Sequence, residues 1–340
     1  MKKTILIGPL PPPLGGATIL FQQLVDDLSL RSDLDLKVIN TYCLKKDSDS
    51  QNINIFKRFF HVSYELFRNI KEYDSVGCHV SKRGFSVFAP LVLFIGRLFN
   101  KKVIIRKFGG ELKHTYESSN IIYKKVIKYV MTADEVLLET IEQVDFFSKE
   151  SPSSRILWYP NSRPGSQKKI VDKKFNKRII FLGHVKKSKG ILDLVEAVKG
   201  LDISLDIYGP LIGVAESQLK FNNITYKGIL DSSLVAKTIS KYSLLVLPTY
   251  YEGEGYPGVI IESYSVGVPV VSTNWRSIPE IVEHGVTGML VDIKNPAGLK
   301  SILIKIEKDE GLYLKLCIGA CNKFTDFDSK KLTDKYFSII

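Results

Sequence analysis

The stretch LPTYYEGEGYPGVIIES, Leu247–Ser263, reads as the end of an apolar strand, a glycine-rich turn and the first turns of a helix. Gly253, Gly255 and Gly258 punctuate the turn, and Pro257 stands where a helix would start. Proline opens helices readily because the N–H it lacks would be unpaired there anyway. The amides around it, at the positive end of the helix dipole, make a site for an anion such as phosphate. Glu254 in the turn and Glu262 eight residues on put carboxylates beside that site. Such neighbours are unfavourable unless they accept hydrogen bonds from hydroxyls. A sugar and a ribose at the two ends of a diphosphate would supply them.

On either side of this stretch, short β-rich runs alternate with longer runs of helical spacing. Strands are expected at 4–8, 36–41, 75–80, 103–108 and 136–138, then at 178–183, 203–208, 243–247 and 268–272. Helices are expected at 17–30, 54–72, 85–99 and 116–130, then at 190–199, 232–241, 257–266 and 296–308. This alternation gives an α/β fold with parallel sheets and crossover helices. The polar segment 161–177, with Pro164 and Gly165, is the expected domain boundary. Two lobes should face each other across a cleft, with ligands at the carboxyl ends of the strands. The domains expected are 1–165, 166–323 and an aromatic-rich segment, 324–340, that docks back toward the first lobe.

Composition agrees. A chain of 340 residues makes about two domains at roughly 150 residues each. With 44% hydrophobic and 25% charged residues it is neither disordered nor fibrous. Cys43, Cys78, Cys317 and Cys321 are too few for a disulfide framework, and no His stands at zinc-ligand spacing beside the last two. They read as reduced, mostly buried thiols of a cytoplasmic protein. The apolar run after Lys2 and Lys3 stops at Pro9, short of the roughly 7–15 residues of a signal peptide. The stretch 85–99 contains Pro90 and Arg97 and falls short of the roughly 20 residues a spanning helix needs.

The net charge of +12 suits a polyanionic partner. Arg97, Lys101, Lys102, Arg106 and Lys107 directly follow the apolar 85–99 run, and Lys124, Lys125 and Lys128 come next. An apolar helix beside a basic cluster points to peripheral contact with a membrane surface, and a buried helix with a solvated basic end is the alternative. Nucleic acid is not expected, since no zinc-finger, RNP-like or helix-turn-helix pattern occurs. The pairs Asp33/Asp35, Asp47/Asp49 and Asp326/Asp328 read as solvated turn residues, so no metal is expected.

Glu254 and Glu262 are followed by Gly267-Val-Pro-Val-Val and Gly285-Val-Thr-Gly. Together these resemble the group 1 (family 4) glycosyltransferases, strongly over 178–292 and more weakly over most of the chain. The resemblance implies the two-lobed GT-B fold and a retaining, metal-independent enzyme that takes sugar from a nucleoside diphosphate, most often UDP. The first lobe would hold the acceptor and the second the donor. Glu254 would contact the donor sugar and Glu262 the ribose hydroxyls, with Gly255 and the amides of Tyr256, Gly258, Val259 and Ile260 around the diphosphate. Lys189 matches the lysine of the family's phosphate loop. His184 stands where that loop carries Arg, so either it donates one hydrogen bond or Lys186 or Lys187 supplies the charge. Lys189 and Glu254 would be the catalytic pair. Gly16, after Gly15 at a helix start, corresponds to a loop that faces the donor phosphate. Phe108 replaces a His that many relatives carry, which leaves Gly109, Gly110, Glu111 and His114 as acceptor-side candidates.

Similar bacterial enzymes extend lipid-linked glycans for capsules, lipopolysaccharide O-antigens and other envelope polysaccharides. Two other readings exist: a nucleotide-sugar epimerase of the same fold, disfavoured by the intact pair of glutamates, and a non-catalytic partner subunit.

Overall fold

The computed structural model describes residues 1–13, 15–42, 55–165 and 173–340. The chain divides into two compact units, residues 1–161 with 329–340, and residues 162–328.

In the first unit, β1 (Lys2–Gly8), α1 (Gly16–Ser29), β2 (Leu34–Asn40), α2 (Ile55–Asn69), β3 (Ser75–Val80), α3 (Lys82–Leu98) and β4 (Lys102–Lys107) follow in turn. Then come α4 (Leu112–Ser118), α5 (Ile121–Met131), β5 (Glu135–Leu138), α6 (Ile141–Glu150) and β6 (Ile156–Trp158). The strands form a parallel sheet in the order β2-β1-β3-β4-β5-β6. Central strands are buried on both faces, as a sheet covered by helices requires. On one face Ile5, Ile7, Val76 and Ile105 pack with Val62, Phe88 and Ile127 of α2, α3 and α5. On the other, Leu6 and Ile104 pack with Phe21 of α1 and with Leu332 and Tyr336.

The second unit runs β7 (Arg178–Leu182), α7 (Ile191–Val198), β8 (Ser204–Tyr208), β9 (Ile224–Tyr226), α8 (Val235–Ile239), β10 (Leu244–Leu247), α9 (Gly258–Ser265), β11 (Val270–Thr273), α10 (Ile278–Ile281), β12 (Gly288–Val291), α11 (Pro296–Lys308) and α12 (Glu310–Lys323). Its parallel sheet has the order β12-β11-β10-β7-β8-β9. The last helix, α13 (Ser329–Ile339), belongs to the first unit, where Tyr159 donates to the Leu332 carbonyl and Arg31 pairs with Asp334.

Three expectations are corrected. The helix expected over 116–130 is two, because Ser119 and Asn120 take extended backbone and the Asn120 side chain accepts from the Tyr123 amide at 2.9 Å, capping α5. The basic cluster is divided because β4 is a central strand covered on both faces: Arg106 and Lys107 lie inside it, 2% and 1% exposed. Arg106 stacks between Phe108 and Tyr159 and donates to the Pro160 carbonyl. Asp35 lies in β2 and Asp326 in a 3₁₀ turn that pairs with Lys323, so neither is a plain solvated turn. Cys78 and Cys317 are buried free thiols and Cys321 is half-buried, whereas Cys43, Asp47 and Asp49 lie outside the described residues. Among the described residues no helix is long and apolar enough to cross a membrane.

Candidate functional site

In the second unit the chain builds β7, β8 and β9 toward one edge and β10, β11 and β12 toward the other. β7 and β10 are therefore neighbours at the point where strand order reverses. Ligands of open α/β sheets bind there, outside the carboxyl ends of the strands. The loops that leave these two strands carry the residues singled out from the sequence.

Gly190 fixes how the loops meet. Its φ is +71°, and a Cβ there would stand 2.0 Å from the Pro248 carbonyl oxygen, so only glycine lets the backbones approach. The Tyr250 amide donates to the Ser188 carbonyl at 2.8 Å and locks the contact. Lys189, in the 3₁₀ turn before Gly190, thereby reaches Glu254, with Nζ 2.5 Å from Oε2. Thr249 Oγ1 donates to the same oxygen at 2.7 Å. Glu254 is only 8% exposed, and a carboxylate that is this buried needs such partners. Lys186 lies over the Tyr251 ring, 3.6 Å from its centre. Burial lowers the Lys186 pKa, Lys189 lowers it further and Glu254 opposes both. Of the two lysines considered for the missing charge, Lys186 is the one beside Glu254; Lys187 and His184 are exposed.

Pro257 caps α9 and Gly258 is its first residue. The Ile260 amide donates to the Pro257 carbonyl at 3.0 Å, and the Tyr256 hydroxyl bonds Glu280 while its ring meets Phe327 edge-on. Glu262 faces Arg163, whose Nε donates to Oε1 at 2.6 Å. Sequence reading missed Arg163. It lies 99 residues from its partner in a polar, Pro-containing segment that reads as linker, and no spacing connects the two.

The first unit holds the remaining candidates. Gly16 heads α1 in open space, after Gly15 at its N-cap. Gly109, with φ +93°, donates its amide to Glu139 at 2.6 Å, and its carbonyl accepts from Gln143. Lys107 reaches Glu111 at 3.1 Å and the Phe108 carbonyl. Gly109 and Glu111 thus come together with Lys107, Glu139 and Gln143, none of which the sequence reading placed in a site. His114 is exposed in the first turn of α4, whose N-cap is Glu111.

Residues 176–309 match the family model of glycosyl transferases, group 1. A 41.2 kDa protein of the cps region of Klebsiella pneumoniae is 24% identical over 300 residues, covering 80% of this chain and 82% of its own. The capsular polysaccharide biosynthesis glycosyltransferase of Staphylococcus aureus is 32% identical over 146 residues, 39% of this chain and 37% of its own. Among solved structures, Anabaena HepE in complex with UDP superposes with a TM-score of 0.73 at 14% identity, over 99% of each chain.

Proposed function

The chain carries a group 1 glycosyltransferase domain over residues 176–309, and from that premise we propose that it is a retaining, metal-independent transferase. A nucleoside diphosphate sugar, UDP-sugar in first place, donates to a glycan acceptor carried on a lipid, in building a bacterial surface polysaccharide. The observation that carries this reading is the meeting of Lys189, Thr249 and Glu254 at the reversal of strand order. An ammonium has three donors, so Lys189 can hold Glu254 and still reach a phosphate oxygen. Charge grows on the diphosphate as it leaves, and Lys189 and the start of α9 stabilise it. Glu254 already accepts from a cation and a hydroxyl, which makes it a poor nucleophile. That supports front-face attack: the acceptor oxygen bonds the anomeric carbon, the bond to phosphate breaks, and the leaving phosphate oxygen takes the acceptor proton. UDP is favoured by the ligand of the Anabaena structure, and a surface polysaccharide by the capsular relative of Staphylococcus aureus.

Peripheral contact with the cytoplasmic face of a membrane is part of the same proposal. It is supported by a stripe that the sequence reading did not resolve. Phe56, Phe60, Tyr64 and Phe67 recur along α2 at helical spacing and are 45–69% exposed. Phe94 and Leu98 of α3 and Ile121 and Ile122 of α5 are exposed too. Neither α3 nor α5 contains an acidic residue, and Arg97, Lys125 and Lys128 stand exposed on them, as an anionic lipid surface would favour.

Thermal unfolding in EDTA with UDP, GDP, ADP and their sugars tests the donor reading. Ligand at about 100 times its Kd should stabilise the protein by about 2.7 kcal/mol. A UDP-selective shift that Glu262→Ala abolishes is the expected result. No shift with any nucleotide would overturn it.

A further inference from the structure

Arg163 belongs to the second unit, yet it comes from the segment just after the first, far from α9 in sequence. Its backbone is pinned: the amide donates to the Phe327 carbonyl at 3.0 Å, and Phe327 packs against Tyr256 of the loop before α9. Its guanidinium lies on the first turn of α9, so close that a Cβ on Gly258 would stand 2.0 Å from Nη2. A cation at a helix N-terminus sits at the wrong end of the dipole. Only a nearby anion makes that position tolerable, and Glu262, one turn into the helix, is that anion, 2.6 Å from Nε. Nη1 donates to the Ser162 carbonyl at 2.8 Å and fixes the plane of the group. Both side chains are mostly buried, 15% and 21% exposed, so the pair is poorly screened by solvent.

A carboxylate has about four lone-pair positions, and among the described residues the Glu262 side chain uses one, toward Arg163. Free to rotate, it would lose entropy on binding a diol. Held from one side by a pinned guanidinium, it presents its remaining positions in one orientation. We propose that Arg163 is a positioning residue of the donor site, acting through Glu262 to set the carboxylate that receives the ribose hydroxyls. This rests on the donor reading given above.

The test is calorimetric titration of the wild type, Arg163→Gln, Arg163→Lys, Glu262→Gln and the double variant Arg163→Gln/Glu262→Gln. UDP and 2′-deoxy-UDP are the probes, in EDTA, with melting temperatures measured in parallel. Arg163→Gln should weaken UDP binding on the order of tenfold, the range of one hydrogen bond to a charged group. The loss should shrink for 2′-deoxy-UDP and nearly vanish when Glu262 is already Gln. Lysine should not restore it, because it lacks the Nε–H of a fixed planar fork. Unchanged UDP affinity in Arg163→Gln would overturn the inference. So would a loss equal for both nucleotides and additive with Glu262→Gln, even with a lowered melting temperature, because that is a general structural effect. If the wild type bound neither nucleotide, the donor reading itself would fall, and the inference with it.

Discussion

Each sheet ends in a lysine beside a glutamate, and the two pairs are built to different ends. In the second unit Lys189 sits on a 3₁₀ turn, and Glu254 on a separate glycine-rich loop. In the first, Lys107 is the last residue of β4 and Glu111 follows four residues later. The Lys189 side chain keeps 15% of its surface exposed, whereas that of Lys107 keeps 1%. Burial lowers the Lys107 pKa, and Glu111 and then Glu139 raise it again. A cation on an open loop can turn toward an incoming anion. One sealed behind a strand can only hold its own neighbours. We therefore expect the first unit to spend its internal charges on folding and the second to spend its charges on ligand.

The sharpest way to break that contrast is Lys107→Met. Removing one partner of a buried ion pair strands the other charge and costs about 3–5 kcal/mol. Urea unfolding should show the loss, with nucleotide affinity of the surviving folded protein unchanged. A stable variant with impaired transfer would instead make the end of β4 part of the acceptor site.

Next in size are Lys189→Ala and Glu254→Ala. Losing one group that stabilises the departing charge lowers turnover on the order of 10²–10³-fold. Lys189→Ala leaves Glu254, 8% exposed, without its cation and should lower stability as well, so turnover is compared per folded protein. Transfer near the wild-type rate in either variant would show that the pair only shapes the loops.

The contrast also explains what could be read from the sequence. Strand and helix alternation is a local signal, so most elements are legible within a few residues, and α11 in full. Glu254 and Glu262 were legible because turn, proline and carboxylates are contiguous. β6 and α10 were missed because three or four residues carry too little periodicity, and the longer α6 and α12, of 10 and 14 residues, were missed as well. The break at Asn120 was hidden because the apolar spacing continues across it and only the cap marks it. Arg106 and Lys107 misled because charge is read by composition, whereas their burial is decided by strand register and by partners such as Tyr159 and Glu139. Arg163 was invisible for a related reason: its role depends on a contact across 99 residues.

The smallest effect probes the same difference through pH. His79, on β3, is fully buried, with Phe21 and Phe108 beside its ring and Nε2 3.0 Å from the Tyr336 hydroxyl. Burial holds its pKa well below 6.5, and the charge of Arg106 pushes it the same way. Its Nδ1 has no partner among the described residues, so a proton added there would meet no acceptor. The unfolded chain binds that proton below about pH 6.5 and the folded chain does not, so stability present above that pH is lost as pH falls. The slope should approach about 1.4 kcal/mol per pH unit on the acid side. His79→Gln can keep a bond to Tyr336 but cannot titrate, and should flatten that slope. A slope unchanged in the variant would assign the acid sensitivity to carboxylates elsewhere and would remove His79 from the charges the first unit commits to its fold.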